Sequence, residues 1–194
     1  SNVIGAEPIS NEMLYTLNLC GADKIFLVGG VQAIALMANG LLGTQKADII
    51  VGPGNQYVAE AKRQIFGATG IDLLAGPTDV LIIADEQADA QLVATDLVSQ
   101  AEHGYNSPVW LVTTSNILAQ KVLQLVPEII KKLPAQNKLN ASQAWQDLGE
   151  IILCSTRKEA VEVANKIAPE HLHVQATELD WWKGELTAYG SLFL

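Results

Sequence analysis

Apolar and polar positions fall into a repeating order: a short apolar run, a glycine or proline turn, then a stretch of helical period. Asp23 to Val28 (DKIFLV) is an apolar run read as a buried strand. Gly29-Gly30 turns it into a helix predicted over Val31 to Leu41. Asp48 to Val51 (DIIV) repeats the pattern, with Gly52-Pro53-Gly54-Asn55 leading into a helix over Gln56 to Phe66. Strand, glycine turn and helix in succession predict a parallel sheet flanked by helices. The three glycines and the proline in Gly67 to Pro77 mark a boundary.

The second half continues the pattern. Strands are predicted over Asp79 to Ala84, Pro108 to Thr113, Glu150 to Cys154, His171 to Gln175 and Ser191 to Leu194, the last as a buried strand. Helices are predicted over Ala88 to His103, Ile117 to Leu133 with a break or kink at Pro127, Ser142 to Leu148, Lys158 to Ile167 and Leu179 to Ala188. In the first of these, Val93, Ala94, Leu97, Val98 and Ala101 form an apolar stripe, while Asp96, Ser99, Gln100 and His103 form a polar one. The expected fold class is α/β, with two Rossmann-like lobes of parallel-rich sheets flanked by helices. The lobes are expected at 1–74, resembling a nucleotide-binding unit, and at 75–194.

Composition narrows the partners. The chain has 194 residues, 49% of them apolar, with a net charge of −9 and no basic cluster. These values disfavour nucleic acid and anionic membrane. No apolar run reaches the length of a membrane span, and no signal peptide is evident. Ser1-Asn2 reads as an expression scar and is set apart from the fold. Cys20 and Cys154 lie among apolar residues and read as core filler in a reducing, cytoplasmic setting.

Candidate chemistry sits in two short clusters. Gln100 and His103, three apart, share a helix face and can offer an amide oxygen and an imidazole to one point. That is half of a catalytic metal shell or, on spacing alone, a solvated face. Glu170-His171 follows Pro169, and a carboxylate beside an imidazole can move protons near neutral pH. The alternative is a capping carboxylate and a half-buried histidine. His173, on the same strand face, reads as structural or exposed. Gly52 to Asn55 can meet an anion at a helix N-terminus or simply allow tight packing, and Gly76-Pro77-Thr78 reads as a turn. Trp145, Trp181 and Trp182 read as core or interface.

Five stretches taken together resemble the histidinol dehydrogenase family: GGVQAIALMANG (29–40), DIIVGPGNQYVAEAKRQIFG (48–67), IDLLAGPTDVLIIAD (71–85), DLVSQAEHG (96–104) and APEHLHVQ (168–175). They follow the family's order and span nearly the whole chain. The resemblance implies a zinc enzyme that oxidises a primary alcohol, L-histidinol, through the aldehyde to the acid, L-histidine, with two NAD. It implies Gln100 and His103 as zinc ligands that also meet substrate, and His171 as the general base. It further implies Glu170 as the activator of water, Gln32 and Asn55 at NAD, and Thr78 where the family usually has a substrate-contacting serine. A homodimer is implied too, with the remaining ligands, an aspartate and a partner-subunit histidine, beyond Leu194. An N-terminal part of the family pattern is also missing, so the chain alone is expected to be inactive.

GPTD, AEHG followed by SPVWLVTTS, and YGSLFL resemble a branch related to sulfopropanediol dehydrogenases, which oxidise a different primary alcohol. A truncated non-catalytic relative or an assembly partner is the remaining reading. The intact QAEH and PEH motifs weigh against it.

Overall fold

Every strand ladder among the described residues is parallel, as strand–turn–helix repetition requires. The structure, a computed structural model, describes residues 2–4, 9–74 and 78–194. It divides into two units, Ser1–Gly76 and Pro77–Leu194. Ser1, Gly76 and Pro77, named in the sequence reading, lie outside the described residues.

The first unit contains two separate two-stranded pairs rather than one continuous sheet. β1 (Asn2–Ile4) pairs with β2 (Ile25–Leu27), and β3 (Ile49–Ile50) with β4 (Gly70–Ile71). The predicted buried strand at 23–28 is therefore short, and Leu27 is 61% exposed. Helix α1 (Asn11–Leu19), capped by the Ser10 hydroxyl, has no predicted counterpart because none of its residues is buried and it shows no apolar stripe. α2 (Gly30–Asn39) packs on α3 (Gln56–Ile65) around Ile34, Ala38 and Ile50. Gly40, at φ 65°, ends α2 in the left-handed conformation that glycine tolerates best.

The second unit is built on a five-stranded sheet, ordered β7 (Gly149–Leu153), β6 (Val109–Thr113), β5 (Val80–Ala84), β8 (His171–Gln175), β9 (Ser191–Phe193). The central β5 is buried along its whole length, as its unbroken VLIIA run requires of a strand covered on both faces. Val80, Ile82 and Ala84 face α4 (Ala90–Ala101), α5 (Asn116–Ile130) and α6 (Ala135–Leu148). Leu81 and Ile83 face the opposite cluster, to which α7 (Arg157–Ile167) and α8 (Leu179–Glu185) contribute Ala160, Ala164 and Trp182. The apolar stripe predicted on α4 is buried at all five positions.

Several expectations are corrected. β9 is an edge strand paired only to β8, so Phe193 and Leu194 are about half exposed rather than buried. α5 runs through Pro127 as one helix. α6 begins at Ala135, seven residues before the predicted Ser142; its polar first turns bury nothing before Ala141 and so carry no apolar pattern. α4 ends at Ala101, which places His103 in the following turn. Cys154 is buried, but Cys20 is exposed at the end of α1.

Counted along the chain, the second unit has the strand order 3-2-1-4-5, with its direction reversing between β5 and β8. In such sheets ligands normally bind beyond the carboxyl ends of the strands at that reversal. Here that point is bridged by Asp85, whose Oδ2 accepts from the Thr177 main-chain N–H at 2.6 Å and hydroxyl at 2.8 Å. Burial pushes the Asp85 pKa up, but these bonds and those from the N–H groups of Gln87 and Ala88 outweigh it and leave it lowered.

Candidate functional site

The predicted catalytic residues gather at the other, amino-terminal edge of the sheet. Thr78 and Asp79 lead into β5, Glu170 and His171 open β8, and His103 stands in the loop that leads to β6. Parallel pairing sets Val80 beside His171. The loops before β5 and β8 therefore enter the sheet side by side. Because Val80, Ile82 and Ala84 face α4, their register partners His171, His173 and Gln175 lie on that same face.

His171 is held by its Nδ1, 3.0 Å from the Asp79 main-chain oxygen. Its ring stacks against Phe193 of β9 with centroids 6.2 Å apart. The Glu170 Oε2 lies 3.9 Å from the same Nδ1, so carboxylate and imidazole are neighbours without a direct hydrogen bond. Glu170 donates its main-chain N–H to Asp79 Oδ1 at 2.8 Å. Asp79 is half-buried, and burial raises its pKa against the opposing effects of the Glu170 N–H and the His171 ring.

Gln100, half-buried near the end of α4, donates its Nε2 to the Thr78 hydroxyl at 2.5 Å. Its Oε1 has no hydrogen-bond partner among the described residues and can accept or ligate. His103 is exposed, and its main-chain N–H donates to the Gln100 main-chain oxygen at 3.2 Å. The α4 terminus is tied to α6: Asn140 donates to the Glu102 main-chain oxygen and Asn137 to its carboxylate, both at 3.3 Å. The structure thus joins Thr78 to Gln100, and both Glu170 and His171 to Asp79. Among the described residues no group of three or more His, Cys, Asp or Glu side chains could hold a metal.

One turn before Gln100, Asp96 accepts from Gln175 Nε2 at 2.8 Å and lies 3.4 Å from His173 Nδ1. His173 in turn meets the Phe193 ring at 4.8 Å. Sequence reading placed Asp96 on the polar stripe of α4 but gave it no partner. Asp79 opens the strand predicted over 79–84 and belongs to the GPTD motif, but its contact with Glu170 has no local signal in the sequence.

In the first unit, Gln32 is exposed in the first turn of α2, and Asn55 is the N-cap of α3. Asn55 Oδ1 accepts from the N–H groups of Tyr57 and Val58 at 3.1 and 3.2 Å, and its Nδ2 has no partner among the described residues. Gly54 is demanded by this turn, since a Cβ there would lie 2.5 Å from Val58 Cγ1. Lys62, 3% exposed, reaches back to the Gly52 oxygen and pairs with Asp72 at 2.6 Å. Asp72 also accepts the Gly52 N–H at 2.8 Å.

Comparison with known proteins identifies the family. The histidinol dehydrogenase family profile matches residues 3–194. A histidinol dehydrogenase homolog of Ruegeria pomeroyi is 61% identical over 94% of this chain and 42% of its own length. A sulfopropanediol 3-dehydrogenase of the same organism is 56% identical over 96% of this chain and 43% of its own. Histidinol dehydrogenase of Haemophilus influenzae is 44% identical, again over 96% and 43%. The crystal structure of histidinol dehydrogenase from Elizabethkingia anophelis superposes with a TM-score of 0.86 at 41% identity, covering 94% of this chain and 42% of that one. The chain spans less than half the length of these relatives, and it belongs to the histidinol dehydrogenase family.

Proposed function

We propose that this chain carries part of the active site of a zinc- and NAD-dependent dehydrogenase that oxidises a primary alcohol through the aldehyde to the acid. The observation that carries this reading is the commitment of His171 Nδ1 to a carbonyl, which leaves Nε2 as a base, with the Glu170 carboxylate beside the ring. His171 takes the proton of the substrate hydroxyl at Nε2. Glu170 then takes a proton from the water that adds to the aldehyde carbon. Thr78, with its oxygen occupied by Gln100, keeps its own proton to donate to substrate.

The donors present fit half of a zinc shell. Gln100 offers Oε1, since its Nε2 is engaged, and His103 offers an exposed imidazole. The family resemblance puts an aspartate and a partner-subunit histidine at the other positions, which makes a homodimer part of the proposal. For NAD, α2 offers an N-terminus without a side-chain cap beside Gln32, and Asn55 offers its free Nδ2. When bound, zinc polarises the alcohol oxygen and NAD accepts the hydride.

L-Histidinol is the substrate the family name suggests. Identity of 56% to a sulfopropanediol 3-dehydrogenase, against 44% to a histidinol dehydrogenase, favours a second reading in which the alcohol carries a sulfonate. The test is NADH formation by the protein at its full encoded length, loaded with zinc, with each alcohol in turn. Two NADH per alcohol consumed is the expected outcome. No NADH from either alcohol would remove the proposal.

A further inference from the structure

We propose that Asp79 is the positioning residue of the acid/base pair: its carboxylate anchors the main chain at Glu170, and its carbonyl fixes His171 as the Nδ1–H tautomer. The kinetic consequence rests on the dehydrogenase reading above. The tautomer rests on geometry alone.

A main-chain carbonyl has no proton to give. The 3.0 Å contact between His171 Nδ1 and the Asp79 oxygen is therefore a bond in which the ring donates. A neutral imidazole carries one proton, so Nε2 is left with its lone pair, the form required of a base. The other candidate partner does not compete, because Glu170 Oε2 is 3.9 Å from the same nitrogen.

The second contact explains why the carbonyl stays in place. Asp79 Oδ1 accepts the Glu170 N–H at 2.8 Å, closing a link between positions 91 residues apart. On the far side, Ser191 donates its N–H to the Glu170 oxygen at 2.7 Å. Gly190 is close to that oxygen, and a Cβ there would come within 2.7 Å of it. Glu170 is thus fixed from β9 on one side and from Asp79 on the other. Without the carboxylate, the hydrogen bond that remains between Asp79 and Glu170-His171 among the described residues is that of the ring itself.

The experiment combines 15N NMR of the histidine rings in this chain with turnover of the protein at its full encoded length. In the unsubstituted chain, neutral His171 is expected as the Nδ1–H form. Asp79→Ala is expected to admit the Nε2–H form and to lower kcat by about tenfold or more, with KM little changed, as loss of a group that orients a functional histidine does. Asp79→Asn keeps an acceptor oxygen and is expected to restore both readouts relative to alanine. Folded Asp79→Ala protein with an unchanged tautomer and unchanged kcat would overturn the proposal. If Asp79→Ala does not fold, Asp79→Asn decides: retention of Nδ1–H supports the proposal, and a dominant Nε2–H form in folded protein overturns it. Failure of the unsubstituted enzyme to oxidise any alcohol would sink the dehydrogenase reading, while the NMR result would still judge Asp79.

Discussion

Lys62 and Asp72 form an ion pair of 2.6 Å, and each partner also holds Gly52: the ammonium bonds its carbonyl and the carboxylate its N–H. The pair sets the main chain of the Gly52–Asn55 turn, where Gly52 sits at φ 134°. The Lys62→Met variant leaves Asp72 without its cation and the Gly52 carbonyl without its donor. A lower melting temperature and faster amide exchange over α3 are expected. Exchange over α3 equal to that of the parent chain would show that the turn does not depend on the pair.

The same turn carries a pH dependence. Hydrogen bonds from the Gly52 N–H, the Lys62 ammonium and the Leu73 N–H hold the Asp72 carboxyl well below its ordinary value of 3.8. A carboxyl lowered in the folded state stabilises the fold above its unfolded pKa, and that contribution is lost as pH falls through the folded value. Below about pH 4, acid unfolding measured by circular dichroism should be less steep in Asp72→Asn than in the parent. Identical acid limbs would contradict this.

His171→Asn removes the base and leaves Asp79, Glu170 and the sheet in place. Turnover of the protein at its full encoded length is expected to fall by about two orders of magnitude, with little change in stability. Unchanged kcat would exclude His171 from proton transfer.

Much of this fold follows from local pattern. The VLIIA run at β5 and the α4 stripe of Val93, Ala94, Leu97, Val98 and Ala101 are legible because both are fully buried. α1 and the first half of α6 are not, because they bury almost nothing and leave no periodic signal. Gln100, His103, Glu170 and His171 stand out by residue type and spacing. The links Thr78 to Gln100, Asp79 to Glu170 and Asp96 to His173 span 22 to 91 residues, and only strand register together with the packing of α4 on the sheet brings them together.

Thr78→Val tests the orientation of Gln100. The hydroxyl that accepts Gln100 Nε2 is lost, and the amide is free to rotate its oxygen away. This chain alone is expected to bind zinc weakly, since Gln100 and His103 leave a tetrahedral shell incomplete. In the protein at its full encoded length, zinc affinity measured by chelator competition is expected to fall by about tenfold in Thr78→Val, the scale on which second-sphere partners tune a metal site. Unchanged affinity in the variant would mean that the Thr78 hydroxyl does not orient a ligand. A tight stoichiometric site on this chain alone, abolished by His103→Ala, would reveal further donors within it.

Leu97 links the sheet to the site. It is fully buried on the inner face of α4, one turn before the end that carries Gln100. Leu97→Ala opens a cavity in the core cluster that also holds Val80, Ile82 and Val122, and the expected loss is about 3 kcal/mol of unfolding free energy. Because the cavity lies beneath the α4 segment that bonds Thr78, amide exchange at Gln100 and Glu102 should quicken more than exchange in α7 on the opposite face. Chemical denaturation supplies the first quantity and hydrogen exchange the second. A loss below about 1 kcal/mol would mean that the neighbouring side chains collapse into the space. Uniform exchange across both faces would mean that α4 does not hold the site independently of the sheet.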